Sequence, residues 1–128
     1  MNAAACLLVC DLSLENIFTD IKQWYEEVSR KVLLNSGKRV PTILVCNKID
    51  LPQVQAKYSN QQIQQRLQEI GFDAIMQTSA KTGNGIDQLL EKLSDVVVNS
   101  QKEATVQVQN MKTADHLLIV DEKKKGCC

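Results

Sequence analysis

A carboxamide, an ammonium group and a carboxylate follow an apolar run of the sequence in close succession. They belong to Asn47, Lys48 and Asp50, directly after the run 42–46. That run is rich in β-branched and bulky side chains and has the length of a buried strand. In an open parallel α/β sheet, ligands bind beyond the carboxyl ends of the strands. We therefore expect these three side chains to hydrogen-bond a ligand in such a crevice.

A second polar segment, Ser79-Ala80-Lys81, follows the predicted strand 74–78. The carboxyl ends of parallel strands lie at the same edge of a sheet, so both segments are expected to face one crevice. The pattern Asn-Lys-x-Asp alone also fits an ordinary polar turn. The second segment, placed after a second strand with a helix between, makes the combination specific.

Together the two segments resemble the guanine-recognition loops of the small GTPases. The resemblance implies that the Asp50 carboxylate accepts hydrogen bonds from N1–H and N2–H₂ of guanine. Hydrogen bonds to charged groups contribute about 1.5–3 kcal/mol each. Adenine has no such pair of donors, and a site that requires a donor can reject an analogue without it by roughly 10⁴-fold or more. The implied ligand is GTP or GDP.

The resemblance also implies roles for the other loop residues. The Ala80 backbone N–H would donate to guanine O6. Asn47 would bond the base edge and tie the neighbouring loops together. The stem of Lys48 would lie over the ring face, and Ser79 and Lys81 would hold the second loop in shape.

Composition limits the chain to one domain of an ordinary globular class. The 128 residues carry a formal net charge of zero, so no bulk attraction to nucleic acid is implied. No segment approaches the roughly 18 apolar residues of a membrane span, and no secretory signal is expected. The lone His116 cannot supply a metal site or a triad with its neighbours. No two cysteines form a CxxC pair, and we expect Cys6, Cys10 and Cys46 to be buried, reduced thiols.

The predicted fold class is α/β, a three-layer parallel sheet of about three strands with flanking helices. The strands are expected at 3–10, 42–46 and 74–78, alternating with helices, as in part of the small-GTPase fold. This domain covers residues 1–99. Its first strand would form a sheet edge that is flat and apolar, so we expect a marginal monomer prone to pairing.

Local signals place the helices. Ser13 is the predicted N-cap of the first helix, with Glu15 in its first turn. Ser59 and Gln62 form a capping box for the second helix, and Gly71 is its expected C′ residue. The apolar stripe of the first helix comprises Ile17, Ile21, Trp24, Val28 and Val32, widened by Phe18 and Tyr25. That of the last helix comprises Ile86, Leu89, Leu90, Leu93, Val96 and Val97.

Residues 100–128 are predicted to be a flexible tail, with a linker over 101–115. The terminal pair Cys127–Cys128 resembles the Rab branch, whose paired cysteines are geranylgeranylated. Two lipids give stable anchoring where one is marginal, and lysines 123–125 would add about 1 kcal/mol each near anionic lipid. The resemblance extends to the segment 117–120, which a prenylation escort protein would grip. Two idle thiols or a vicinal disulfide remain the alternative.

The family's phosphate-handling motifs do not occur in this sequence. There is no GxxxxGK[ST] and no Asp-x-x-Gly, and the catalytic glutamine and the magnesium-binding switch threonine are missing with them. We therefore expect weak guanine contacts without hydrolysis, and no Mg²⁺ ligands.

Two functional hypotheses follow. The first is a Rab-like guanine-nucleotide switch in vesicle traffic, lipid-anchored on the cytoplasmic face of intracellular membranes and cytosolic if unprenylated. The second is a non-enzymatic, lipid-anchored binding module that competes with complete Rab proteins. A generic flavodoxin-like domain would explain neither the paired loops nor the terminal cysteines.

Overall fold

The computed structural model describes residues 3–114. Its elements alternate along the chain as β1 (Cys6–Asp11), α1 (Ile17–Lys31), β2 (Thr42–Asn47), α2 (Pro52–Lys57), α3 (Asn60–Leu67), β3 (Ala74–Gln77) and α4 (Ile86–Ala114). The segments Leu117 to Val120, Lys123 to Lys125 and Cys127–Cys128, on which the lipidation hypothesis depends, lie outside the described residues.

The three strands form one parallel sheet in the order β1-β2-β3. Leu8 pairs in register with Leu44, and Leu44 with Ile75. The central strand β2 is buried from Thr42 to Cys46, as expected for a strand covered on both faces. The predicted α/β class and the sheet of three parallel strands are confirmed.

Helices cover both faces of the sheet, which gives three layers. On one face, even-numbered residues of β1 and β2 pack against α1, α2 and α3. This core comprises Leu8, Cys10, Leu12, Ile17, Ile21, Leu44, Cys46, Val54, Ile63 and Leu67. On the other face, Ile43 and Val45 of β2 pack against Leu89 of α4, with Leu93 and Val96 beside it.

The thiols of Cys10 and Cys46 are buried side by side on paired strands, and both are free. The hydrogen bond with Cys10 and the burial both raise the pKa of the Cys46 thiol, which keeps it protonated. Cys6 is less buried, and its pKa is also raised by desolvation. The sequence-based expectation that Cys10 and Cys46 are buried is confirmed.

The predicted start of the first helix is wrong. Helix α1 begins at Ile17, and its N-cap is Asn16, in the left-handed region at φ 57°. Ser13 instead donates to Asp11 Oδ1 from its N–H at 2.9 Å and from its hydroxyl at 2.6 Å. Because both donors of Ser13 are engaged by the preceding strand, the residue closes a turn, and Glu15 precedes the helix.

Trp24 does not belong to the buried stripe of α1. Ile17 and Ile21 are fully buried and Phe18 packs edge-on against Tyr58, but Trp24 is 41% exposed. The contacts of α1 with the rest of the described chain are made by other residues, among them Tyr25, which packs against Phe72. The sequence pattern identifies an apolar face, but whether a partner covers all of it depends on the width of the sheet.

Helix α3 confirms the predicted capping box and corrects the predicted helix end. Ser59 Oγ accepts from the Gln62 N–H at 3.2 Å, and Gln62 Oε1 accepts from the Ser59 N–H at 3.1 Å. The helix ends at Leu67, so Gly71 is not its C′ residue. Gly71 has φ 112°, and its carbonyl accepts from the Tyr25 hydroxyl.

The last helix is longer than the sequence indicated. Helix α4 continues to Ala114, where we predicted a flexible linker from residue 101. The stretch 101–114 has no glycine or proline and contains several good helix formers, so nothing local ends the helix. Among the described helices, none combines the length and apolar character needed to cross a bilayer.

Candidate functional site

The polar ends of all three strands lie together at one edge of the sheet. Asp11 at the end of β1 pairs in register with Asn47 at the end of β2. The Thr78 N–H, just after β3, donates to the Cys46 carbonyl at 2.8 Å. The prediction that two strand ends deliver their polar loops to one place is confirmed, and a third strand end joins them.

Asp50 is oriented by Ser79. The Ser79 hydroxyl donates to Asp50 Oδ1 at 2.8 Å and accepts from the Thr82 N–H at 3.2 Å. Ser79 is fully buried, and its N–H donates to the Asn84 carbonyl at 2.9 Å. Within the described part of the chain, Asp50 Oδ2 has no hydrogen-bond donor. The carboxylate is therefore fixed on one side and can accept from a ligand on the other.

Asn47 connects the two loops. Its Oδ1 accepts from the Ala80 N–H at 3.0 Å and from the Thr78 hydroxyl at 3.3 Å. The Ala80 N–H, which the resemblance assigned to guanine O6, is thus already engaged within the protein. A ligand oxygen would have to share this donor with Asn47 or replace the amide.

Lys48 and Lys81 differ in how firmly they are held. Lys48 lies in the left-handed region at φ 68°, a conformation that non-glycine residues seldom adopt and that often marks functional sites. Its Nζ lies 2.7 Å from Asp11 Oδ2. Lys81 is exposed and has no side-chain partner in residues 3–114. The structure gives no support for the shape-holding role implied for Lys81.

Asp11 is a member of the site that sequence reasoning missed. The ion pair with Lys48 and the hydrogen bonds from Ser13 lower the pKa of the Asp11 carboxyl from its ordinary value of 3.8 to about 2. The sequence does contain a signal for this residue, because Asp11, like Asn47, is a polar residue that directly follows an apolar run. Its effect is to fix the ammonium group of Lys48, so that the stem of this side chain has one defined course across the site.

The Asp11 pair predicts a pH-dependent stability. The folded pKa is depressed, so the contribution is fully present above about pH 4 and is lost as pH falls through about 2. Asp11→Asn should lower the free energy of unfolding by about 1 kcal/mol at pH 7, the range of partly exposed pairs. This difference should disappear only as the pH falls below about 2. Urea unfolding followed by Trp24 fluorescence measures it, with exposed Asp95→Asn as control. A constant difference across this range would contradict the assignment.

A cavity of about 460 Å³ borders Asp50 and Ser79 on the side of α2 and α3. Its other walls are Ile49, Val54, Gln55, Tyr58, Asn60, Ile63, Gln77, Thr82 and Asn84. Asn47, Lys48 and Ala80 do not line it. The candidate site therefore adjoins this cavity through Asp50 and Ser79, while Asn47, Lys48 and Ala80 lie outside it.

No metal-binding cluster was found in the described part of the chain. Residues 3–114 contain no group of three or more histidine, cysteine, aspartate or glutamate side chains that could hold an ion. The groups present, an amide, a backbone N–H and a carboxylate with one free oxygen, suit a flat hydrogen-bonding ligand.

The protein-family comparison identifies the family of this chain. The model described as "Ras family" matches residues 1–99, which contain both loops and all three strands. The chain belongs to the Ras family. The strand ends, the Asp50–Ser79 contact and the Asn47 link described above all lie within the matched residues.

Relatives of the chain belong to the Rab branch of this family. Ras-related protein Rab-7L1 of Mus musculus is 27% identical over 99% of this chain and 61% of its own length. Ras-related protein Rab-32 of Sus scrofa is 30% identical over 98% of this chain and 56% of its own. Ypt/Rab-type GTPase YPT7 of Saccharomyces cerevisiae is 28% identical over 72% of this chain and 44% of its own length. The chain spans about three fifths of the first two relatives.

Proposed function

We propose that this chain binds the base of a guanine nucleotide through Asp50. The observation that supports the proposal is the state of this carboxylate. Ser79 fixes Oδ1 at 2.8 Å, while Oδ2 is left to accept from paired N–H donors such as N1–H and N2–H₂ of guanine. The adjoining loop lies within reach, because Asn47 ties the Ala80 backbone to the end of β2.

The contacts available in this chain concern the base and not the phosphates. In P-loop NTPases, backbone N–H groups and a lysine hold the phosphates, and Mg²⁺ neutralises their charge. The sequence contains no GxxxxGK[ST]. We therefore propose recognition of guanine at low affinity, without hydrolysis by these residues alone.

The proposed cellular role is that of a Rab-like protein in intracellular vesicle traffic. Similarity to Rab-7L1 and Rab-32 supports it, together with the terminal Cys127–Cys128 pair and the lysines before it. Geranylgeranylation of both cysteines, after capture by a prenylation escort protein, would anchor the chain to the cytoplasmic face of membranes. The second candidate, a lipid-anchored module that competes with complete Rab proteins, is favoured by the missing phosphate motifs.

The base preference can be tested with nucleosides, which lack phosphates. We expect guanosine to shift the amide signals of Asp50 and Ala80 in a two-dimensional ¹⁵N NMR titration. Inosine lacks the N2 amine, so its affinity should be lower by about 10-fold, one charge-assisted hydrogen bond. Adenosine should produce no saturable shift at these amides. Equal affinity for adenosine and guanosine would overturn the proposal.

A further inference from the structure

Asn84 is the only asparagine of the sequence that is followed by glycine. In such a pair the backbone nitrogen of the glycine can attack the side-chain carboxamide, because glycine has no Cβ to crowd the approach. Asparagine is accordingly one of the thermolabile residues of proteins. The pair lies in the loop 78–85, which connects β3 to α4 at the opposite edge of the sheet from β1.

Both groups that would react are free of hydrogen bonds within the described part of the chain. The Asn84 side-chain amide is exposed and has no hydrogen-bond partner among residues 3–114. The Gly85 N–H has none there either, and the next N–H along the chain, that of Ile86, donates to the Gly83 carbonyl at 3.3 Å. Neither reacting group therefore has to give up a hydrogen bond within the protein before the nitrogen attacks the carboxamide.

The backbone of Asn84 supports the site residue Ser79. The Ser79 N–H donates to the Asn84 carbonyl at 2.9 Å. The Ser79 hydroxyl in turn donates to Asp50 Oδ1 at 2.8 Å. Asn84 and Asp50 also line the same cavity. A change in the course of the main chain at Asn84 therefore reaches the Asp50 carboxylate through one intermediate residue.

The loop has no room for a longer main chain. On one side of Asn84, the Gly83 N–H donates to the Ser79 carbonyl at 2.8 Å. On the other side, Gly85 packs so closely against the Gln77 carbonyl that an added Cβ would overlap it. An extra main-chain atom between these two anchors must displace Asn84 and its carbonyl.

We propose that the Asn84–Gly85 pair is a self-modification site whose product displaces Ser79. The Gly85 nitrogen bonds to Cγ of Asn84 and loses its proton, and the amide nitrogen leaves as ammonia, which gives a cyclic succinimide. Water then opens the ring. Opening at Cγ gives aspartate, and opening at the former main-chain carbonyl gives isoaspartate, with one extra carbon in the main chain. The sequence of steps consumes one water and releases one ammonia, so it needs no oxidant or reductant.

Isoaspartate is the product that affects the candidate site. The former main-chain carbonyl becomes a carboxylate on a branch, so the acceptor of the Ser79 N–H loses its fixed position. Ser79 then holds the Asp50 carboxylate less firmly, and guanosine affinity should fall by about 5-fold, the equivalent of one neutral hydrogen bond. This effect on affinity rests on the proposed base binding, whereas the modification and the displacement of Ser79 do not.

Peptide mapping tests the modification. The full chain is incubated in mildly alkaline buffer, which promotes deprotonation of the attacking nitrogen, and is then digested with trypsin. Asn84 is the only asparagine of the tryptic peptide 82–92. We expect isoaspartate at Asn84, formed at a rate comparable with that in the free peptide 82–92.

An internal reference is provided by Asn35 on the tryptic peptide 32–38, an exposed asparagine that is followed by serine. It should be modified more slowly than Asn84, because the serine side chain crowds the attacking nitrogen. If Asn84 stays unmodified, or reacts more slowly than the free peptide by more than about 100-fold, the fold protects the pair and the proposal is overturned.

The ¹⁵N NMR spectrum tests the displacement of Ser79. We expect the Ser79 amide signal to move in the isoaspartyl form and to return after treatment with an isoaspartyl methyltransferase and S-adenosylmethionine, which converts isoaspartate to aspartate. Asn84→Asp is the matched control, because it carries the same charge on an unaltered main chain, and its Ser79 signal should stay near that of the wild type. A Ser79 signal that does not move in the isoaspartyl form, or that moves equally in Asn84→Asp, contradicts the displacement.

Guanosine titration tests the link to base binding. We expect the isoaspartyl form to bind guanosine about 5-fold more weakly than the chain after methyltransferase treatment. Equal affinities of these two forms would refute the link but not base binding by Asp50. An unmodified chain that does not bind guanosine would refute base binding and the link together, while the peptide map and the Ser79 signal still decide whether the pair is a self-modification site.

Discussion

Replacing Gly85 with alanine should lower the free energy of unfolding by about 3 kcal/mol and detach the second loop from its position. Gly85 has φ 78°, where an alanine costs about 1–3 kcal/mol of backbone strain. Its Cβ would also overlap the carbonyl oxygen of Gln77, a backbone atom at the end of β3 that has little freedom to move. Urea unfolding monitored by Trp24 fluorescence measures the loss.

Gly83 provides the matched control for this substitution. It has φ 81° in the same loop, but an added Cβ would meet nothing within 4 Å. Gly83→Ala should therefore cost only the backbone strain, about 1 kcal/mol. Equal losses for the two variants would mean that the contact of Gly85 with Gln77 does not position the start of α4 against β3.

The second large effect concerns base specificity. Asp50→Asn should weaken guanosine binding by about 10-fold to 100-fold, the equivalent of 1.5–3 kcal/mol for one charge-assisted hydrogen bond. An asparagine amide at this position would direct its N–H₂ toward the two donors of guanine. Xanthosine carries an oxygen where guanosine has its N2 amine, so it should gain affinity in the same variant.

The measurement is the NMR titration with guanosine and with xanthosine, carried out on the wild-type chain and on Asp50→Asn. Asp95→Asn on α4 is the control, since it removes the same charge from an exposed position outside the site. We expect it to leave both affinities unchanged. If Asp50→Asn retains the guanosine preference of the wild type, Asp50 does not read the base.

Local sequence features predicted much of the fold correctly. The mostly apolar run 42–46 is typical of a strand that is covered on both faces, as β2 is, and this pattern is visible in sequence. The capping box at Ser59 and Gln62 is equally local and was correct. The predicted N-cap at Ser13 was wrong because the Asp11 carboxylate accepts from the N–H and the hydroxyl of Ser13, which holds this residue in a turn before the helix.

The candidate site, like the fold, could be predicted from the sequence only in part. Asn47, Asp50 and Ser79 were identified because polar residues directly after buried strands meet at one edge of a parallel sheet. The sequence could not show that the Ala80 N–H is engaged by Asn47 or that Lys48 pairs with Asp11. Both contacts join residues from different strand ends, and their partners depend on the register of the sheet.

The sequence by itself determined the alternation of strands and helices and the two polar loops, since each depends on side chains that are neighbours along the chain. Only the tertiary structure decided that Trp24 is exposed and that Cys10 lies beside Cys46. These properties depend on which elements lie next to one another and how far each layer extends. They are set by packing between distant parts of the chain, which no local pattern encodes.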